Sequence, residues 1–208
     1  MKKFAVIAGL LMLGSSQMVL ADLKIGFVNT ERVFREAAPA QRALKALEDL
    51  FMEEARWEDA VDVIEKRVKI LENPGDKIAE LLKVGNIWEE KVNDLPAAAD
   101  AFERVLHMDK YNKTASSQVE NIYRMRSMWS QLSELLLARV EFPDNTPQNR
   151  IETYQAIARI YEDNMNDRES AFVVLQAAFR EDFSVDSTAR ELERLASLTN
   201  KWGDLLGE

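Results

Sequence analysis

Cysteine is absent from the 208-residue chain, which excludes disulfides and thiolate metal sites and leaves the compartment open. Histidine occurs once, at His107. A Ser/His triad could use only that residue, and no nucleophile-elbow sequence accompanies it. A zinc site there would need three carboxylates, which is not the usual ligand set. Glycine and proline number only seven and five, so no glycine-rich phosphate loop is present and helix breakers are rare. Asp144-Asn145-Thr146 lacks the spacing of a calcium loop. No dense basic patch interleaves with aromatics, and the formal charge is −9. Such a chain repels nucleic acid and anionic lipid. These absences leave no cofactor, no metal and no catalytic constellation to propose, and an enzyme is not the expectation.

The chain is instead rich in Leu, Ala, Glu and Arg, with 47% hydrophobic and 30% charged residues. That is a globular, helix-forming composition, and the expected fold class is all-α. The N-terminus is set apart. Lys2 and Lys3 precede an apolar run from Phe4 to Leu13, too short to span a bilayer comfortably. Val19-Leu20-Ala21 has the small-x-small form that a signal peptidase reads. Residues 1–21 therefore read as a signal peptide cleaved after Ala21, with an uncleaved anchor as the alternative. Export to the periplasm follows as an expectation. Cleavage leaves 25 basic against 36 acidic residues, a formal charge of about −11.

Residues 22–43 form a separate segment. Leu23-Lys24-Ile25-Gly26-Phe27-Val28 alternates in the manner of a strand. Val33, Phe34, Ala37 and Ala38 follow at helical spacing, Pro39 interrupts, and a helix resumes from Ala40. The run Lys24 to Phe34, directly after a signal peptide, resembles the start of mature Skp/OmpH-type periplasmic chaperones. In that family the strand belongs to a trimerising β body from which helical tentacles hold unfolded outer-membrane proteins. The family closes that body with C-terminal strands and its tentacles are basic. This chain ends without an apolar β-branched run and is acidic, so the resemblance implies export and an ancestry for the N-terminus without establishing a trimer.

Residues 44–208 repeat. Trp57, Trp129 and Trp202 are spaced by 72 and 73 residues. Ile87-Trp88-Glu89-Glu90 precedes Ile160-Tyr161-Glu162-Asp163 by 73, as Asp94 precedes Asp167, Ala98 precedes Ala171 and Phe102 precedes Leu175. Asp94 divides the interval between Trp57 and Trp129 into steps of 37 and 35, giving a unit of roughly 36 residues, a helix pair. Asn73-Pro74-Gly75-Asp76, Asp109 to Asn112, Pro143 to Pro147 and Asp182 to Asp186 punctuate the units. This pattern resembles the tetratricopeptide repeat (TPR) family. Gly85, Trp88, Ala98 and Phe102 carry it in the second unit and Ala158, Tyr161, Ala171 and Leu175 in the fourth. The expectation is a TPR-like α-solenoid of about four to five helix pairs, preceded by a signal peptide and one short β-strand. Trp57 and Trp129 open second helices. Trp202, Leu205 and Leu206 make a stub where the C-terminal end could expose apolar surface.

The resemblance implies a groove lined by polar positions of the first helices. The candidates are Asn86, Glu89 and Glu90, then Arg124 and Ser127, then Glu152, Gln155, Arg159 and Glu162; as plain solvated helix faces they would do nothing. A groove of this kind takes an extended or helical peptide, and the acidic balance favours a basic or neutral one. Acid pairs such as Glu53/Glu54, Glu89/Glu90 and Asp59/Asp62 read as exposed faces, the Trp and Met residues as core, and the sequon at Asn112 as a chance match. Two functions stand: a periplasmic interaction scaffold or adaptor, and alternatively a Skp/OmpH-like holdase for unfolded outer-membrane proteins.

Overall fold

Local signals set the helix starts. Asn73, Asp94, Asn112, Thr146 and Asp167 each accept a hydrogen bond from a backbone N–H two or three residues on, at 2.7–3.1 Å. That satisfies donors that a helix start leaves unpaired. Pro74, Pro96 and Pro147 sit in first turns, where no N–H is missed. The computed structural model describes residues 38–203. Over that range the chain is all-α. The helices are α1 (Ala38–Glu53), α2 (Trp57–Ile70), α3 (Pro74–Ile87), α4 (Leu95–Met108), α5 (Lys113–Met125), α6 (Trp129–Val140), α7 (Pro147–Arg159), α8 (Arg168–Glu181) and α9 (Asp186–Thr199). A π-helical turn extends α3 over Trp88–Val92 and α7 over Ile160–Asn164.

Each helix packs on the next, and the short turns make successive helices antiparallel. The result is a TPR-like solenoid of helix pairs α1/α2, α3/α4, α5/α6 and α7/α8, followed by α9. Trp57 and Trp129 do open second helices, and Trp202 stands at a further helical start. Among the described residues, five non-glycine positions have positive φ: Ala55, Asn93, Ser127, Asn166 and Asn200. Each lies in the turn after a first helix. The turns close alike: Arg56 N–H donates to Phe51 O at 2.8 Å, Met128 to Tyr123 at 2.9 Å and Lys201 to Ala196 at 3.0 Å. In the second and fourth pairs the closure spans one residue more, Asp94 to Trp88 and Asp167 to Tyr161, both 2.8 Å. The π turn supplies that residue. Units therefore alternate between two lengths, and the 36-residue unit read from the sequence is their mean.

The packing between the two helices of a pair alternates too. In the second pair a Cβ on Gly85 would lie 2.5 Å from the Phe102 ring, so only glycine lets α3 and α4 meet there. In the fourth pair the same register holds Ala158 against the smaller Leu175, both 4% exposed. In the first and third pairs a carboxylate takes that place. Glu48, fully buried, is paired with Arg67 and Lys83. Glu120 meets Arg139 at 2.5 Å, and Arg139 also donates to Ser116 Oγ at 3.0 and 3.1 Å. Burial alone would raise the Glu48 carboxyl; hydrogen bonds from Lys83 and Lys45 and the Arg67 charge overcome it and hold it below its ordinary range.

Several expectations need correction. Pro39 does not interrupt a helix; it lies in the first turn of α1, which begins at Ala38 and not at Ala40. Met108, Met125 and Met165 are exposed rather than core. By contrast, the C-terminal end does expose apolar side chains, Leu198 and Trp202. The expected signal peptide, the strand at 22–28, and Leu205 and Leu206 lie outside the described residues.

Candidate functional site

The first helices α1, α3, α5, α7 and α9 stand side by side, and polar side chains bridge some neighbours. Lys83 of α3 reaches Glu48 of α1. Gln118 Nε2 of α5 donates to Glu89 at 3.3 Å. Between α7 and α9 two bridges form. Gln155 Nε2 donates to Thr188 Oγ1 at 2.8 Å. Arg194 Nη1 donates to Glu162 Oε1 at 2.9 Å, and its Nη2 closes a second bond to the same carboxylate. A bidentate pair of this kind fixes geometry as well as charge.

These two bridges bracket a cleft of about 650 Å³. Its floor is apolar, made by Ala158, Leu175 and Leu195. One wall carries Gln155, Arg159, Glu162 and Asp163, the other Ser187, Thr188, Arg190, Glu191 and Arg194. The spacing 155, 159, 162 places three side chains on one helix face. Hydrogen bonds from Arg194 hold the Glu162 carboxyl below its usual range, and Arg194 is raised in turn by Glu162 and Glu191. Arg159 lies between the bridges and is exposed, with no ion pair or side-chain hydrogen bond among the described residues. It is an open guanidinium over an apolar floor, suited to a planar anionic group.

The remaining candidates are spread along the array. Asn86 is exposed on α3, and Glu89 is half-buried in the π turn with its carboxyl raised by burial and by Glu90. Glu90 is exposed and 3.9 Å from Lys91. Arg124 pairs with Glu120 of its own helix at 2.8 Å. Ser127 is not on a first helix; it is the left-handed residue of the turn after α5. Glu152 accepts from Gln148 of its own helix at 2.7 Å. Thus Gln155, Arg159 and Glu162 are brought together, and the other six are not. The sequence reading missed the α9 wall. The repeat period held the signal, since Gln155 and Thr188 are 33 residues apart and Glu162 and Arg194 are 32.

No protein-family model and no curated protein matches the chain. Among solved structures, MamA is similar over 75% of this chain and 80% of its own, at 12% identity and a TM-score of 0.42. YrrB, a TPR protein with an unusual peptide-binding site, is similar over 73% of each chain at 14% identity and 0.40. TPR-like repeats of a putative kinesin light chain from Podosopora anserina are similar over 81% and 91% at 14% and 0.43. Likeness at this level transfers neither a partner nor a site. Elsewhere, His107 is exposed. Asn112 spends its side chain on the α5 start and on Asp109 at 3.2 Å. Among the described residues no acid/His cluster could hold a metal, and no helix is long and apolar enough to cross a membrane.

Proposed function

We propose that this chain is a non-catalytic interaction scaffold that binds an extended polypeptide segment along its first helices, anchored in the cleft between α7 and α9. The observation that carries this reading is Arg159, an exposed cation with no ion pair or side-chain hydrogen bond among the described residues, over an apolar floor in an otherwise acidic protein. Its partner is a peptide with one carboxylate side chain for Arg159 beside an apolar residue. Neutral or basic residues continue toward Glu89 and Glu90, which repel acids. Residues 1–21 export the chain, so the partner is met in the periplasm.

The test is selection of peptides from a displayed random library against the purified protein, followed by titration with Arg159→Ala and Arg159→Glu variants. Enrichment of acidic-apolar peptides that weaken about tenfold or more with Arg159→Glu, at unchanged helical content, is the expected result. Selection of peptides that ignore Arg159 sinks the anchoring role. The run Lys24 to Phe34 supports the second reading, a Skp/OmpH-like holdase. That reading requires suppression of outer-membrane protein aggregation by a trimer, and a monomer in light scattering ends it.

A further inference from the structure

The repeat provides its own control for how deeply each first helix is buried. At the register of Leu47, the other first helices carry Val84, Val119, Ile157 and Leu192, all 0–1% exposed. At the register of Leu50 they carry Ile87, Ile122, Ile160 and Leu195, all 4% exposed or less. In each case the second helix of the preceding pair lies against them: α2 on α3, α4 on α5, α6 on α7, α8 on α9. On α1 the same positions are only half-buried, as is Leu44 one turn earlier. Among the described residues nothing occupies the place of that preceding helix. Leaving a leucine stripe half in water forgoes hydrophobic stabilisation that every other unit collects.

We propose that this stripe is the docking surface for the chain's own segment Leu23 to Val28, laid along α1 so that Leu23, Ile25 and Phe27 cover Leu44, Leu47 and Leu50. The segment has the matching chemistry: its alternate residues are apolar, with Lys24 and Gly26 between them. Standing alone, such a stretch exposes unpaired backbone and apolar side chains and has no stability of its own. The reach suffices. Residues 29–37 intervene and span up to about 30 Å when extended, while the sixteen residues of α1 measure about 24 Å. A tether this short holds the segment at roughly millimolar effective concentration. A second copy of the chain is the poorer occupant, because three half-buried leucines fall far short of the ~800 Å² that each partner of a stable complex contributes. The docked segment caps the first end of the solenoid, leaving the groove side free.

The absence of cysteine makes a disulfide test unambiguous. In the full chain, Phe27→Cys is combined with Leu47→Cys or with Leu50→Cys, and Phe27→Cys with Leu137→Cys on α6 is the control. Under mild oxidation at least one of the first two pairs closes within one chain about tenfold faster than the control, as a tethered contact requires. No excess over the control overturns the proposal, and a disulfide joining two chains overturns it in favour of a second copy. An independent variant guards against distortion by the cysteines. Phe27→Asp speeds amide exchange in α1 and leaves α9 unchanged; unaltered exchange in α1 overturns the proposal as well.

Discussion

Gly85 and Phe102 offer the sharpest test of how the two helices of a pair meet. Adding a methyl to Gly85 puts a carbon 2.5 Å from two ring atoms of Phe102, where ordinary contact begins near 3.4 Å. The ring must retreat by roughly 1 Å into a fully buried site, and overpacking of that order costs about 1–3 kcal/mol. Alanine returns about 1 kcal/mol through better helix propensity, so Gly85→Ala should lose about 1 kcal/mol net. That lowers Tm by about 2–4 °C for a chain this size. Phe102→Leu alone leaves a small cavity and loses about 1–2 kcal/mol. The fourth pair already carries the solution as Ala158 and Leu175. In the Phe102→Leu background, Gly85→Ala should therefore change sign and stabilise by about 0.5–1 kcal/mol, a coupling within the usual range for touching residues. Urea unfolding of the four proteins at one temperature, compared at equal m, measures the cycle. If Gly85→Ala costs the same in both backgrounds, the argument that Phe102 dictates the glycine is refuted.

Three further outcomes follow from the same structure. Ala55 carries a φ of 56°, so Ala55→Gly should raise stability by about 1 kcal/mol, read as a higher Tm, because glycine adopts that conformation without penalty. Arg67→Met should cost about 1–3 kcal/mol, because buried Glu48 loses its guanidinium partner but keeps Lys45 and Lys83. Adding Glu48→Ala should recover most of it, since the corresponding sites in the fourth pair are apolar, Ala158 and Ala178. The Glu89 carboxyl is raised above its ordinary 4.5 by burial and by Glu90. Such an acid binds its proton more tightly when folded, so its contribution to stability falls as pH rises through 4.5 and the folded pKa. Glu89→Gln should accordingly raise Tm at pH 7 and leave it unchanged below pH 4, the reverse of what a carboxylate in a favourable ion pair would show.

How much of this was legible in the sequence depends on the range of the interaction involved. Asn73, Asp94, Asn112, Thr146 and Asp167 mark helix starts because their side chains bond backbone groups two or three residues away. Trp57 and Trp129 announced second helices because identical turns precede them. The solenoid itself followed from period and apolar spacing, since no helix pair here buries its own stripe. Pro39 was misread, because a proline in a first turn and one that breaks a helix look alike until the helix start is known.

The sequence alone determined the class of fold, the helix order and the repeat, because those rest on contacts within a turn or a pair. Only the tertiary structure decided that Glu48, buried, and Glu120, partly buried, are partners of Arg67 and Arg139, each 19 residues away, and not further members of exposed acidic faces. It alone placed Arg159 between two bridges to α9 and set Ser127 in a turn. It alone showed Leu47 and Leu50 less covered than their counterparts. Each of these depends on how one helix crosses another, and that geometry is fixed by the summed packing of side chains 19 to 33 residues apart, beyond the reach of any local rule.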